Sequence, residues 1–195
     1  MPSLVVVGAG GLGRETAVLA QAHRAAGGAF DILGFVDDDP ALQRRTVLDL
    51  PVLGAIDWLV HHPETVYVVA IGASRLRRRI VDLHRLPVDR AATLVHPSVE
   101  LHPSVHLSPG CLIFRGAVVM LNVALGDHVI VDVNSTVGHD TTLGAFSTMH
   151  PGCHVSGNVV VEEAVELGAG AVVLPGRRIG REVIVGAGAQ FDGFL

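Results

Sequence analysis

Apolar positions follow two rhythms along the chain, and the change falls near residue 95. Before it, short aliphatic runs alternate with longer amphipathic stretches. Val5-Val6-Val7, Ile32 to Val36, Val66 to Ile71 and Thr93-Leu94-Val95 read as strands. Arg14 to Arg24, Ile56 to His61 and Ser74 to about Leu86 read as helices, with Ser74 expected to cap the last. Short apolar strands separated by helices predict a small parallel sheet with right-handed crossovers.

After residue 95 the period is six. From Leu101 to Phe191 every sixth residue is apolar, sixteen in succession. With about half the chain apolar, such a run by chance has a probability on the order of 10⁻⁵, so the period is a property of the fold. The positions two earlier, Val99 to Ala189, are mostly small or β-branched and include Cys111 and Cys153. A period of six is neither helical nor that of a plain strand. It predicts a parallel β-helix of hexapeptides, in which three hexads close a triangular coil of about 18 residues. Residues 96–195 then make about five coils, with the sixth-position aliphatics filling the interior. Gly126, Gly138, Gly144, Gly168, Gly180 and Gly186 follow those aliphatics and are expected to supply turns of positive φ.

Composition narrows the function classes. The chain has 195 residues, 49% apolar and 17% charged, which excludes a disordered chain. Net charge is −5, against a nucleic-acid partner. The basic cluster Arg75, Arg77, Arg78 and Arg79 is expected to be a solvated helix face. No apolar run reaches the ~18 residues of a membrane span, and no signal peptide opens the chain, so the cytoplasm is expected. Two cysteines in an inward column make neither a disulfide framework nor good nucleophiles.

Gly8-x-Gly10-x-x-Gly13 follows a strand and opens a helix, as in a dinucleotide fingerprint. The backbone N–H groups of Gly10 to Gly13 at a helix start would hold phosphate, whether of NAD(P) or of a nucleotide sugar; a purely structural loop is the third reading. The first half, about 95 residues, is short for a full dinucleotide domain.

The hexads resemble those of hexapeptide-repeat acyltransferases. Val5 to Glu15, Gly34-Phe35-Val36-Asp37-Asp38-Asp39, Pro51-Val52-Leu53-Gly54, Ala70-Ile71-Gly72 with a following arginine, and His96-Pro97-Ser98 together resemble the sialic acid O-acetyltransferase (NeuD/PglD-like) family. The resemblance implies a Rossmann-like nucleotide-sugar-binding domain over 1–95, then a left-handed parallel β-helix acyltransferase domain over 96–195. It implies acetyl-CoA as co-substrate without a metal, and acetyl transfer to a UDP-type 4-amino-sugar. The alternatives are O-acetylation of sialic acid or another sugar, and a non-catalytic sugar-nucleotide-binding homologue.

On the family's pattern, His139 in Gly138-His139-Asp140 is the general base. An imidazole titrating near ~6.5 suits that task, and such a base gives roughly 10²–10⁴-fold. Asp140 would orient the ring. One coil on from His139 is Gly157, whose N–H would donate to the thioester oxygen; transfer is direct, without an acyl-enzyme. The bland alternative is a surface turn histidine. The resemblance further assigns Gly10, Gly11, Leu12, Gly13, Asp37, Asp38 and Gly72 to the nucleotide sugar, and Thr148, Ala169 and Ala187 to the coenzyme. Leu12 and Thr148 depart from the family, where histidine is frequent; His150 lies close by. The Pro-Ala-Lys-type tail is missing before the chain stops at Leu195, so coenzyme contacts would rest on backbone and small residues. His96, His102 and His106, near the start of the prism, would bind zinc only if they converged, as in gamma-type carbonic anhydrases. Prisms of this kind associate as trimers, so a homotrimer with sites shared by two subunits is expected.

Overall fold

The structure, a computed structural model, describes residues 1–193; the last two residues of the expected second domain lie outside the described residues. Strand β1 (Ser3–Val7) is buried on both faces at the centre of the first sheet. The other strands are β2 (Asp31–Val36), β3 (Thr46–Val47), β4 (Leu50–Gly54) and β5 (Val66–Val69), in the order β3-β4-β2-β1-β5. All neighbours are parallel except β3 and β4. This Rossmann-like sheet contains one hairpin that the pattern of residues concealed. The β3–β4 turn places Leu48 and Asp49 both at positive φ, 49° and 60°. A two-residue hairpin turn needs that geometry but usually announces it with Asn-Gly or Asp-Gly.

Helix α1 (Gly11–Ala25) starts three residues before the expected Arg14, because the glycine loop itself forms the first turn. Helix α2 (Ser74–Leu83) stops short of Leu86, where Arg85 turns left-handed at φ 49°. Ser74 is not its cap. It is the first helical residue, and its hydroxyl donates towards the Val165 carbonyl and Thr148 Oγ1 across the domain joint. Thr93 to Val95 does not complete the first sheet either. Ala91 bridges Tyr67 there, but β6 (Leu94–Val95) pairs with Leu112–Ile113 as the first rung of the second sheet stack.

That stack is the expected left-handed parallel β-helix. Two-residue strands pair with the strand 18 residues on, as in Thr136 with His154 and Ala124 with Thr142. Three parallel sheets result. The first face carries 106–107, 124–125, 142–143, 160–161 and 178–179; the second runs from 94–95 to 184–185; the third from 118–119 to 190–191. The sixth-position residues from Ile113 to Phe191 are all buried in one core. Outward residues of the second face, Leu94, Leu112, Phe114 and Ile130, pack with Leu4, Leu19 and Val68 of the first domain. That apolar joint fixes the domains together.

The turn glycines work differently from the expectation. Positive φ occurs every sixth residue, three places after the inward aliphatic: Gly116, Asn122, His128, Asn134, Asp140, Phe146 and onward. Asn and Asp tolerate that region better than most residues, which is why glycine is not needed there. Gly126, Gly138, Gly144, Gly168, Gly180 and Gly186 do not have positive φ. At four of these six sites the requirement is space: a Cβ on Gly138 would stand 2.5 Å from the Gly157 nitrogen of the next coil.

Candidate active site

The corner between the third and first faces presents His139, Asp140 and Gly157 together. Asp140 sits at the left-handed turn position, φ 57°, which brings its carboxylate back beside the preceding ring. His139 Nδ1 and Asp140 Oδ2 are 2.7 Å apart. Asn122, one coil earlier, donates its amide to Asp140 Oδ1 at 2.9 Å. These two hydrogen bonds, the Asn122 bond first, hold the Asp140 carboxyl below the usual carboxylate range. An ionised Asp140 accepts a hydrogen bond from the Nδ1–H, which keeps the proton on Nδ1 and leaves the Nε2 lone pair as the base. Nε2 looks at Gly157: a Cβ there would lie 2.6 Å from it. The ring is more than half exposed, open to substrate. This cluster can remove a proton from a nucleophile held above it. Asn122 is the residue that sequence reasoning missed, although 140 minus 18 points to it.

The glycine loop lies at another corner. Gly13 is obligatory, because a Cβ would stand 2.0 Å from the Gly8 carbonyl oxygen. Gly10 and Gly11 are exposed with open space around them. The first turn of α1 has no side-chain cap and no acidic residue, which favours an anion there. Asp37 shapes this loop by accepting from the Ala9 and Asp39 N–H groups. Asp38 accepts from the Ile56 N–H and lies 3.3 Å from His84 Nε2. Leu12 and Gly72 stand together: a Cβ on Gly72 would be 3.9 Å from Leu12 Cδ2 and 3.7 Å from His150 Cε1. His150 in turn lies 3.8 Å from Glu166 Oε2. A cleft of about 490 Å³ opens beside the loop, lined by Gly11, Arg14, Leu48, Phe114, Arg115 and Val133.

The residues assigned from sequence therefore form two groups. His139, Asp140 and Gly157 share one corner. Gly10 to Gly13, Leu12 among them, and Gly72 meet the prism at the corner between its second and third faces, which also carries the exposed Ala169 and Ala187. Thr148 belongs to neither surface. It is buried in the domain joint, where its hydroxyl donates to the Gly72 carbonyl. The basic run of α2 is a solvated face only in part: Arg75 and Arg79 are exposed, but the other two arginines are not. Arg77 is fully buried, and Arg75 and Arg78 pair with Glu182, Arg78 also with Glu163. Cys111 and Cys153 are buried and donate to backbone carbonyls; burial pushes the Cys111 thiol up to about 12. His96 and His102 each hold the serine two residues on. Among the described residues, no group of three or more His, Cys, Asp or Glu could hold a metal ion, and no helix is long and apolar enough to cross a membrane.

Residues 3–83 match the PglD N-terminal domain family. The GDP-perosamine N-acetyltransferase of Escherichia coli O157:H7 is 30% identical over 185 residues, covering 94% of this chain and 82% of that protein. The chain belongs to the NeuD/PglD-like hexapeptide acetyltransferase family. Solved structures agree with this family member along its whole length. Perosamine N-acetyltransferase from Caulobacter crescentus, with one histidine changed to asparagine and with CoA and GDP-perosamine bound, has a TM-score of 0.86 and 32% identity, covering 100% of this chain and 90% of its own. The acetyltransferase domain of PglB from Neisseria gonorrhoeae also has a TM-score of 0.86, with 33% identity over 100% of this chain and 93% of its own.

Proposed function

We propose that this protein transfers the acetyl group of acetyl-CoA to the amino group of a nucleotide-linked amino sugar. The observation that carries the reading is the His139–Asp140 pair on an exposed corner, with Nε2 turned towards Gly157. The uncharged amine attacks the thioester carbonyl and His139 Nε2 takes the proton it sheds. Asp140 holds the ring by Nδ1 and stabilises the imidazolium. The Gly157 N–H, which no described residue accepts from, donates to the developing oxyanion. Collapse breaks the carbon–sulfur bond, and the imidazolium returns the proton to the leaving thiolate. The buried cysteines take no part.

The sugar's diphosphate sits at the first turn of α1, with its base towards Asp37 and Asp38. Ala169 and Ala187 border the coenzyme. A homotrimer completes the site. The glycine loop and His139 occupy different corners of one prism, so one chain does not bring them together. Rotation about an axis parallel to the prism keeps each coil at its own height. Val133, which lines the cleft beside Gly11, lies in the same coil as His139. A neighbour's His139 then meets the acceptor at that cleft. Acetyl-CoA and a nucleotide sugar as substrates support a cytoplasmic location.

The test is thiol release from acetyl-CoA across UDP-, GDP- and dTDP-linked 4-amino-sugars plus sialic acid, with His139→Ala in parallel. Release with amino-sugar nucleotides, lost in the variant, is expected. Release only with sialic acid would replace N-transfer by O-transfer, and binding without release would make the protein a non-catalytic homologue.

A further inference from the structure

α2 carries a guanidinium with no contact to water. Arg77 is 0% exposed, and burial pulls its pKa down to about 9, which leaves it charged at neutral pH. A buried charge persists only where it is fully hydrogen-bonded. Here the partners are neutral oxygens from three separate segments. Nη1 donates to the Ile71 and Gly72 carbonyls. Nη2 donates to the Phe146 and Ser147 carbonyls and to Thr148 Oγ1. Nε donates to the His128 carbonyl. The first pair belongs to the loop after β5; the others lie on two successive coils of the prism.

Gly72 is held from both sides. Its carbonyl accepts from Arg77 Nη1 at 3.1 Å and from Thr148 Oγ1 at 2.8 Å. Its other side faces Leu12, in the first turn of α1, and His150. The side chain that fixes Gly72 is therefore the one that ties the first domain to the prism. Lysine cannot replace it: a single ammonium lacks the planar fork that reaches loop and coils together.

We infer that Arg77 is the positioning residue for the acceptor sugar, setting the Gly72 loop at a fixed height against the prism so that the loop's ligand meets the acetyl-transfer coil. This rests on the reading of Gly72 as part of the acceptor seat. Arg77 touches no substrate itself; it acts through the Gly72 carbonyl and Thr148. Loss of the fork loosens the acceptor seat and leaves the coenzyme groove, formed by Ala169 and Ala187 farther along the prism, unchanged.

The experiment is steady-state kinetics on the full chain with Arg77→Lys, Thr148→Val and Thr148→Ser, together with hydrogen exchange at residues 70–74. Arg77→Lys is expected to raise KM for the nucleotide sugar at least tenfold and to leave KM for acetyl-CoA within threefold. Thr148→Val should move the same constant in the same direction, and Thr148→Ser, which keeps the hydroxyl, should restore it. Exchange at 70–74 should speed up in the first two variants, whichever acceptor the protein uses. If both Michaelis constants worsen together, or activity tracks only the folded fraction, Arg77 is structural and the inference fails. Unchanged exchange at 70–74 in folded Thr148→Val also overturns it, even if Arg77→Lys does not fold. Faster exchange with no acetyl transfer by the wild type would instead sink the functional reading and leave the mechanical link standing.

Discussion

His139 lies across the next coil so closely that Gly157 has no room for a side chain: a Cβ would stand 2.6 Å from Nε2 and 2.8 Å from Cε1. Gly157 is not at positive φ, so alanine is tolerated by its backbone. The three nearest atoms all belong to the ring. Gly157→Ala should therefore fold with stability within about 1 kcal/mol of wild type. It should lose on the order of 10²-fold in kcat, the usual effect of displacing a reacting group by about 1 Å. Thermal melts and thiol release separate the two effects; unchanged kcat would remove Gly157 and the His139 ring from the reaction.

The Asn122–Asp140–His139 relay gives a second prediction. Asp140→Asn removes the charge that selects the Nδ1–H tautomer. We expect a loss on the order of 10²-fold in kcat, less than the ~10⁴ of a buried triad, because water reaches both half-exposed side chains. Asn122→Ala removes the hydrogen bond that contributes most to holding the Asp140 carboxyl low. Its titration should then rise towards the ordinary carboxylate range, visible in carboxyl-carbon NMR. No upward movement would mean that Asn122 does not support the ionised form.

Much of this site is arithmetic on the sequence. Once the six-residue period gives an 18-residue coil, His139 implies Gly157 on one side and Asp140 implies Asn122 on the other. What the period does not carry is anything set by docking of the two domains. Arg77 sits in a run of four nearby arginines that reads as solvated; acceptors distant in sequence, the carbonyls of His128, Phe146 and Ser147 among them, make it a core residue. Thr148, which the resemblance gives to the coenzyme, is buried in the domain joint instead. The β3–β4 hairpin escaped because Leu48 and Asp49 adopt a glycine geometry without glycine. Such features depend on long-range partners, and local pattern carries no signal for them.

The same joint predicts an acid sensitivity. His128 is buried between Tyr67 and Phe146, and neither ring nitrogen has a hydrogen-bond partner among the described residues. Burial first, and the Arg77 charge second, lower its pKa to about 4. Between that value and the ~6.5 of an unfolded histidine, only the unfolded chain takes up the proton. This contribution is thus complete above about pH 6.5 and is lost as pH falls towards 4. It amounts to on the order of 3 kcal/mol. Urea unfolding at pH 7.5, 6 and 5 should show the fall, and His128→Phe, which keeps the ring stack without a proton site, should flatten it. An equal slope in that variant would place the proton uptake elsewhere.

The separation of the glycine loop from His139 on two prism corners makes the assembly testable through chemistry. His139→Ala removes the base and leaves the loop. Gly11→Glu puts a carboxylate where the phosphates would bind; space is open there, and an acidic residue suits a helix's first turn. Each homotrimer should be inactive alone. Co-expressed and assembled at random, a site built from two subunits draws a good loop from one chain and a good base from another in about a quarter of cases. Recovery near a quarter of wild-type thiol release, in particles that sediment as trimers, is the expected outcome. If each site lay within one chain, no mixture would recover activity, because every chain would carry one defect. The readout thus separates a site completed by its neighbour from a trimer that merely holds three independent enzymes.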